Sequence, residues 1–140
     1  MNGSIFKVYT GSTFDLFHAG HVQFLRKCSH YGLVTVALNT DEFVERFKGK
    51  RPVMTFAERY EVVSACKYVN EVIANISGED SKSTIEAVRP DLIIVGDDWL
   101  KKDYYSQMGF TQKWLDDRHI SLIYVPYTKN ISTTEIKKRL

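Results

Sequence analysis

Apolar residues fall along this chain in short blocks separated by amphipathic stretches. Residues 5–9 are apolar and rich in β-formers, which predicts a buried first strand. From residue 20 to 30 the apolar positions Val22, Phe24, Leu25 and Cys28 follow a helical period, and Gly32 sits where a helix-terminating glycine belongs. Residues 33–38 (LVTVAL) predict a second buried strand. Thr55 followed by Glu58 reads as a capping box; it opens a helix to about Lys67, with Val62, Val63 and Cys66 on one face. A third strand is expected over 69–76, a helix over 82–88 stopped by Pro90, a fourth strand over 92–95 and a last one over 120–125. Residues 103–118 have a helical period that contains Gly109. Ser132 and Glu135 form a second capping box, opening a short C-terminal helix.

Strands alternating with helices predict an α/β fold with a mainly parallel sheet. In such sheets ligands bind beyond the carboxyl ends of the strands. The unusual segments all follow strands: 11–21, 39–51, 96–99 and 127–134. They therefore converge on one edge of the sheet. No repeat, low-complexity tract or linker divides the chain, so residues 1–140 read as a single domain.

Composition narrows the class without naming a function. The chain is 44% hydrophobic and 26% charged, as ordinary globular proteins are. A net charge of +2 is too small to point to nucleic acid. Cys28 and Cys66, each expected inside a helix, read as buried reduced thiols. No secretory h-region and no bilayer-length apolar run is visible, which makes the cytoplasm the expected location.

The chemistry concentrates in His18-Ala19-Gly20-His21, at the opening of the first helix. Residues three apart share a helix face, so both imidazoles can point at one spot beside backbone N–H groups that favour an anion. Two alternatives stand beside this: ordinary histidines at helical spacing, or zinc ligands, for which no convincing third ligand is visible. As paired donors, the imidazoles suit a phosphoryl group whose charge builds in the transition state.

Lys48, Lys50 and Arg51 form a basic loop, either solvated or directed at phosphate oxygens. Arg59 can reach inward to an anion or pair with Glu58 or Glu61. Gly96-Asp97-Asp98-Trp99 is either a turn with a packed indole or a base pocket. Asn130-Ile131-Ser132-Thr133-Thr134 caps a helix, and such a cap is compatible with holding nucleotide phosphates.

Taken together, STFDLFHAGH at 12–21, NTDEF at 39–43, FKGKRPVM at 47–54, ER at 58–59, KYVNEVI at 67–73, GDDW at 96–99 and ISTTEIK at 131–137 resemble the HxGH-motif nucleotidyltransferases. Within them the chain is most similar to the glycerol-3-phosphate group of the cytidylyltransferase branch. The resemblance spans nearly the whole chain. It implies a Rossmann-like three-layer sandwich and transfer of CMP from CTP to a small phosphorylated or phosphono alcohol, glycerol 3-phosphate first, with release of pyrophosphate.

By the same resemblance His18, His21 and Lys48 are catalytic. Thr13, Phe14, Gly20, Asp98, Trp99, Thr128, Ile131, Ser132, Thr133 and Thr134 join the histidines in binding the nucleotide. Asp15, Lys48, Lys50, Arg59 and Lys82 fall on the acceptor side. Mg²⁺ is implied, held mainly by substrate phosphates and without a named protein ligand. A homodimer through the KYVNEVI segment is implied as well, with no nucleic-acid or membrane partner. The chain departs from the family's pattern at Tyr127, where an Arg is usual, at Asn130 and Ser12, where Gly is usual, and at Lys67, where Arg is usual. An adenylyltransferase of the same fold, or a nucleotide-binding protein with impaired turnover, are the competing functions.

Overall fold

The computed structural model describes residues 6–76, 80–97, 109–126 and 133–140. Its elements run β1 (Lys7–Ser12), α1 (Ala19–Ser29), β2 (Leu33–Asn39), α2 (Asp41–Lys48), α3 (Phe56–Ser64), β3 (Glu71–Asn75), α4 (Lys82–Val88), β4 (Leu92–Gly96), α5 (Gln112–Asp117), β5 (Ser121–Val125) and α6 (Thr133–Lys137). The strands form one sheet in the order β3-β2-β1-β4-β5. Every pairing is parallel, including Val8 with both Val34 and Leu92.

Alternation along each strand splits the core into two layers. Val8, Val34, Val36, Leu38, Leu92 and Ile94 pack on one face with Phe24, Leu25 and Cys28 of α1 and Val63 of α3. Tyr9, Ala37, Ile93 and Val95 pack on the other face with Ile85 of α4 and Leu115 of α5. The result is the expected α/β three-layer sandwich, with a sheet that is parallel throughout rather than mainly so. The strand order reverses between β1 and β4, so the crevice above their carboxyl ends is where such folds bind ligands.

Several local expectations are corrected. Gly32 does not cap α1 in the left-handed region; His30 ends that helix at φ −69°. Glycine is needed at position 32 because a Cβ there would lie 2.2 Å from the Phe6 carbonyl oxygen. The basic loop is entered through an unexpected helix, α2. Thr40 caps its N-terminus, Asp41 and Glu42 suit its positive end, and Gly49 closes it at φ 82°. Lys48 is thus the last helical residue rather than part of the loop. Helix α3 stops at Ser64, which leaves Cys66 past its end.

Cys28 is buried, and burial pushes its thiol up to about 12, as befits an inert core residue. Among the described residues no helix is long and apolar enough to cross a membrane.

Gly32→Ala drives a methyl group into the Phe6 backbone and is expected to cost about 1–3 kcal/mol of stability, as overpacking does. Urea denaturation measures it; an unchanged midpoint would show that the Phe6 segment yields freely.

Candidate active site

The turn after β1 is held in a costly conformation. Phe14 and Leu16 sit at φ 50° and 51°, a region that bulky side chains avoid. Two interactions compensate. The Phe14 ring is buried at 1% exposure and meets Phe17 and His21 edge-on at centroid distances of 5.9 and 5.1 Å. Asp15, between the two strained residues, accepts hydrogen bonds from the N–H groups of Leu16 (3.1 Å), Val53 (2.8 Å) and Met54 (2.9 Å). The turn after β1 is thereby tied to the loop before α3.

His18 and His21 form a capping box from imidazoles. His18 Nδ1 accepts the Gly20 N–H at 3.0 Å, and His21 Nδ1 accepts the His18 N–H at 3.2 Å. An imidazole that accepts at Nδ1 is neutral and carries its proton on Nε2. The backbone thus selects the tautomer of both rings, and both present an Nε2–H donor. The rings stack at 3.8 Å between centroids and 23° between planes, with Phe17 stacked on His21 at 5.4 Å.

The neutral forms are further favoured electrostatically. Burial, then the neighbouring His18, pushes His21 down to about 3, against an opposing pull from Asp15. Burial, then the Arg139 guanidinium, lowers His18. Among the described residues His18 Nε2 is buried without a hydrogen-bond partner, a donor whose desolvation no described group offsets.

Arg59 departs from the acceptor-side expectation. Its side chain is 0% exposed. Nη1 donates to the carbonyls of Thr13 (2.8 Å) and Asn39 (2.9 Å), Nε to Met54 O (3.1 Å) and Nη2 to Asp41 Oδ1 (2.6 Å). Asp41 Oδ2 in turn accepts the Phe56 N–H at 3.1 Å. A guanidinium spent on these partners cannot also grasp a substrate phosphate. Arg59 instead clamps the ends of β1 and β2 to α2 and α3. Neither Glu58 nor Glu61 is its partner; Glu58 closes the Thr55 capping box.

Lys48 and Lys50 are exposed and make no ion pair among the described residues. Arg51, by contrast, is drawn back onto α2 by Asp41, Glu42 and Glu45 at 3.5–3.8 Å. Lys82, the first residue of α4, lies 3.8 Å from Asp80. Thr13 accepts from Asn39 Nδ2 at 3.1 Å. Gly20 is buried in the first turn of α1, and Thr134 is exposed in α6. The backbone of Thr133 opens α6. Asp98, Trp99, Thr128, Ile131 and Ser132 lie outside the described residues, as do Tyr127 and Asn130.

The turn therefore gathers Thr13, Phe14, Asp15, His18, Gly20 and His21, and the Phe14 ring serves as a prop for His21 rather than as a surface open to a ligand. Sequence reading missed Asn39, Asp41 and Arg139. The Asp41 signal was present in its position just after the Thr40 cap; nothing local marked Arg139 as a neighbour of His18.

Known proteins resemble this chain over nearly its whole length. A family model described as cytidylyltransferase-like matches residues 9–139. The chain belongs to the cytidylyltransferase-like family. It is 36% identical over 133 residues to a glycerol-3-phosphate cytidylyltransferase of Bacillus spizizenii, covering 94% of this chain and 95% of that one. It is 37% identical to an FAD synthase of Pyrococcus horikoshii over 94 residues, 66% of this chain and 63% of that one. A solved lipopolysaccharide core biosynthesis protein from Thermoplasma volcanium superposes with a TM-score of 0.71 at 27% identity, covering 90% of this chain and 98% of that one. The enzyme is a nucleotidyltransferase with its paired imidazoles at the switch point of the sheet.

Because His21 ionises far more readily in the unfolded chain than in the folded one, the unfolded state binds more protons between about pH 6.5 and 3. Stability is therefore full above pH 6.5 and falls as the pH drops through that window. His21→Ala should flatten the fall in urea titrations; an unchanged slope would contradict a neutral buried His21. Arg59→Lys cannot reproduce the four hydrogen bonds and should lower stability by about 3–5 kcal/mol, as breaking a buried pair does. A stable Arg59→Lys enzyme with only a raised acceptor KM would return Arg59 to the substrate.

Proposed function

We propose that this enzyme transfers CMP from CTP to glycerol 3-phosphate or a closely related small phosphorylated alcohol, releasing pyrophosphate. The observation that carries the reading is the pair of Nε2–H donors fixed by the reciprocal imidazole cap. Support for the substrate class comes from the near whole-chain match to glycerol-3-phosphate cytidylyltransferase. The FAD synthase match covers only two thirds of the chain and weighs less for an adenylyltransferase.

In this mechanism an oxygen of the acceptor phosphate attacks the α-phosphorus of CTP. The new O–P bond forms as the bond to the β-phosphate oxygen breaks, and pyrophosphate carries away the electron pair. Negative charge builds on the α-phosphoryl oxygens, where His18 and His21 donate from Nε2. Neutral donors fixed in advance need no reorganisation as that charge develops. No covalent enzyme intermediate is required. Lys48 and Lys50, exposed and without ion pairs among the described residues, are assigned to substrate phosphates, and Lys82 to the acceptor side.

Asp98 and Trp99 are proposed for the cytosine pocket, and Thr128 with residues 131–134 for the β- and γ-phosphates. Phe14 is assigned to the nucleotide through its backbone, since its ring is buried.

Mg²⁺ is proposed to enter on the triphosphate, where it would offset phosphate charge. Asp15, the carboxylate of the turn, is spent on backbone N–H groups, and among the described residues no three His, Cys, Asp or Glu side chains converge on a metal position. That donor set fits a metal held by phosphates and water. A homodimer through residues 67–73 and a cytoplasmic location complete the proposal. Edge strand β3 and the exposed Tyr60 and Val62 of α3 favour such a pairing.

Pyrophosphate release, followed with CTP, ATP, UTP and GTP against a panel of phospho-alcohols, tests this reading. Release with CTP and a phosphorylated polyol is expected; release only with ATP would replace it with an adenylyltransferase. In the same assay His18→Ala and His21→Ala should each lower kcat by about 10²–10³, the usual cost of one such donor. Near-normal turnover in either variant would remove the imidazoles from the mechanism.

A further inference from the structure

Beyond the imidazoles, one polar side chain at the same edge of the sheet is buried and incompletely partnered. Asn75 ends β3 and is 1% exposed. Its Nδ2 donates to Asn39 Oδ1 at 3.0 Å, and Asn39 Nδ2 donates to Thr13 Oγ1 at 3.1 Å. The chain of bonds fixes the Asn75 amide in orientation and connects it, through Asn39, to the turn that carries His18 and His21. Yet among the described residues Asn75 Oδ1 is buried with no hydrogen-bond partner. A buried amide oxygen left unpaired is destabilising, and the bond to Asn39 uses only the other end of this amide. A leucine or valine would fill an edge-strand position without that cost.

We propose that Asn75 reads a hydroxyl group on the acceptor alcohol. The inference rests on the acceptor reading above and sharpens it: the acceptor is a polyol phosphate, and Asn75 Oδ1 accepts the hydrogen of the hydroxyl next to its phosphate-bearing carbon, the central one in glycerol 3-phosphate. Asn39 holds the amide in place by accepting from Nδ2. Reversing the polarity of the whole Thr13–Asn39–Asn75 chain would leave Nδ2 free in place of Oδ1, and a hydroxyl, being both donor and acceptor, serves either arrangement. A trimethylammonium group offers neither a donor nor an acceptor, so the site discriminates against choline phosphate. Asn75 ends β3 and Lys82 opens the next helix, α4; with Lys82 on the acceptor side, the reading takes an ammonium for the acceptor phosphate and an amide for its hydroxyl.

The test compares acceptors that differ by one hydroxyl. Pyrophosphate release from CTP is measured with glycerol 3-phosphate and with 3-hydroxypropyl phosphate, which lacks the central hydroxyl, and with choline phosphate as a third arm. The wild-type enzyme is expected to favour glycerol 3-phosphate over the deoxy compound by about tenfold to a hundredfold in kcat/KM, the worth of one buried hydrogen bond. In Asn75→Leu that preference should collapse towards one, through a raised KM for glycerol 3-phosphate, while CTP binding without acceptor stays unchanged.

Equal use of the two acceptors by the wild-type enzyme overturns the inference whether or not the variants fold. So does a preference that survives in Asn75→Leu. Turnover with choline phosphate alone also overturns it but leaves the cytidylyltransferase reading standing. No turnover with CTP and any acceptor overturns both.

Discussion

The histidine pair at the head of α1 closes two backbone N–H groups that the helix would otherwise leave open, and that duty fixes which ring nitrogen remains for chemistry. In most capping boxes a hydroxyl and a carboxylate do this work; in the Thr55 box the hydroxyl's remaining O–H goes to Glu58, so no donor is left to offer. An imidazole has two nitrogens. Spending Nδ1 as an acceptor leaves Nε2–H as the donor of each ring. Helix initiation, tautomer and donor placement are thus one structural event. The stacking of the two rings, with Phe14 and Phe17 against His21, supplies the apolar surroundings that keep both neutral.

That arrangement depends on a turn the chain does not adopt willingly. Two bulky residues in the left-handed region cost of order 1–3 kcal/mol each and persist only where the surroundings over-determine them. Here the surroundings are Asp15, bound to the backbone of Val53 and Met54, and Arg59, bound to the carbonyls of Thr13, Asn39 and Met54. Both tie the turn after β1 to the segment that enters α3. A buried guanidinium rarely adds net stability over apolar packing, but once its partners are in place its geometry is hard to substitute. Its contribution is better read as alignment of three loops than as stability.

Much of this was legible in the chain. The strands stood out because strands buried on both faces read as continuous apolar runs, and α1, α3 and α4 because a helical period or a capping signal marked their bounds. Helix α2 was hidden: only Phe43 and Val44 of its eight residues are buried, too few to show a period, although Thr40 and Gly49 bracketed it. Gly32 was recognised as special for the wrong reason, since its true constraint is a close approach to Phe6, which no local pattern reveals. The imidazole pair was evident from spacing, but its tautomer was not, because that depends on which backbone N–H each ring meets. Arg59 was ambiguous for the same reason: its partners lie up to 46 residues away in sequence.

The central claim is that backbone capping fixes His18 and His21 as neutral Nε2–H donors. Nitrogen-15 NMR of the four histidine side chains, with His18→Gln and His21→Gln used for assignment, tests it most directly. The account predicts that at neutral pH both rings show an unprotonated Nδ1 and a protonated Nε2, and that His21 keeps this signature far into the acidic range. A protonated Nδ1 on either ring, or an imidazolium at neutral pH, would contradict it.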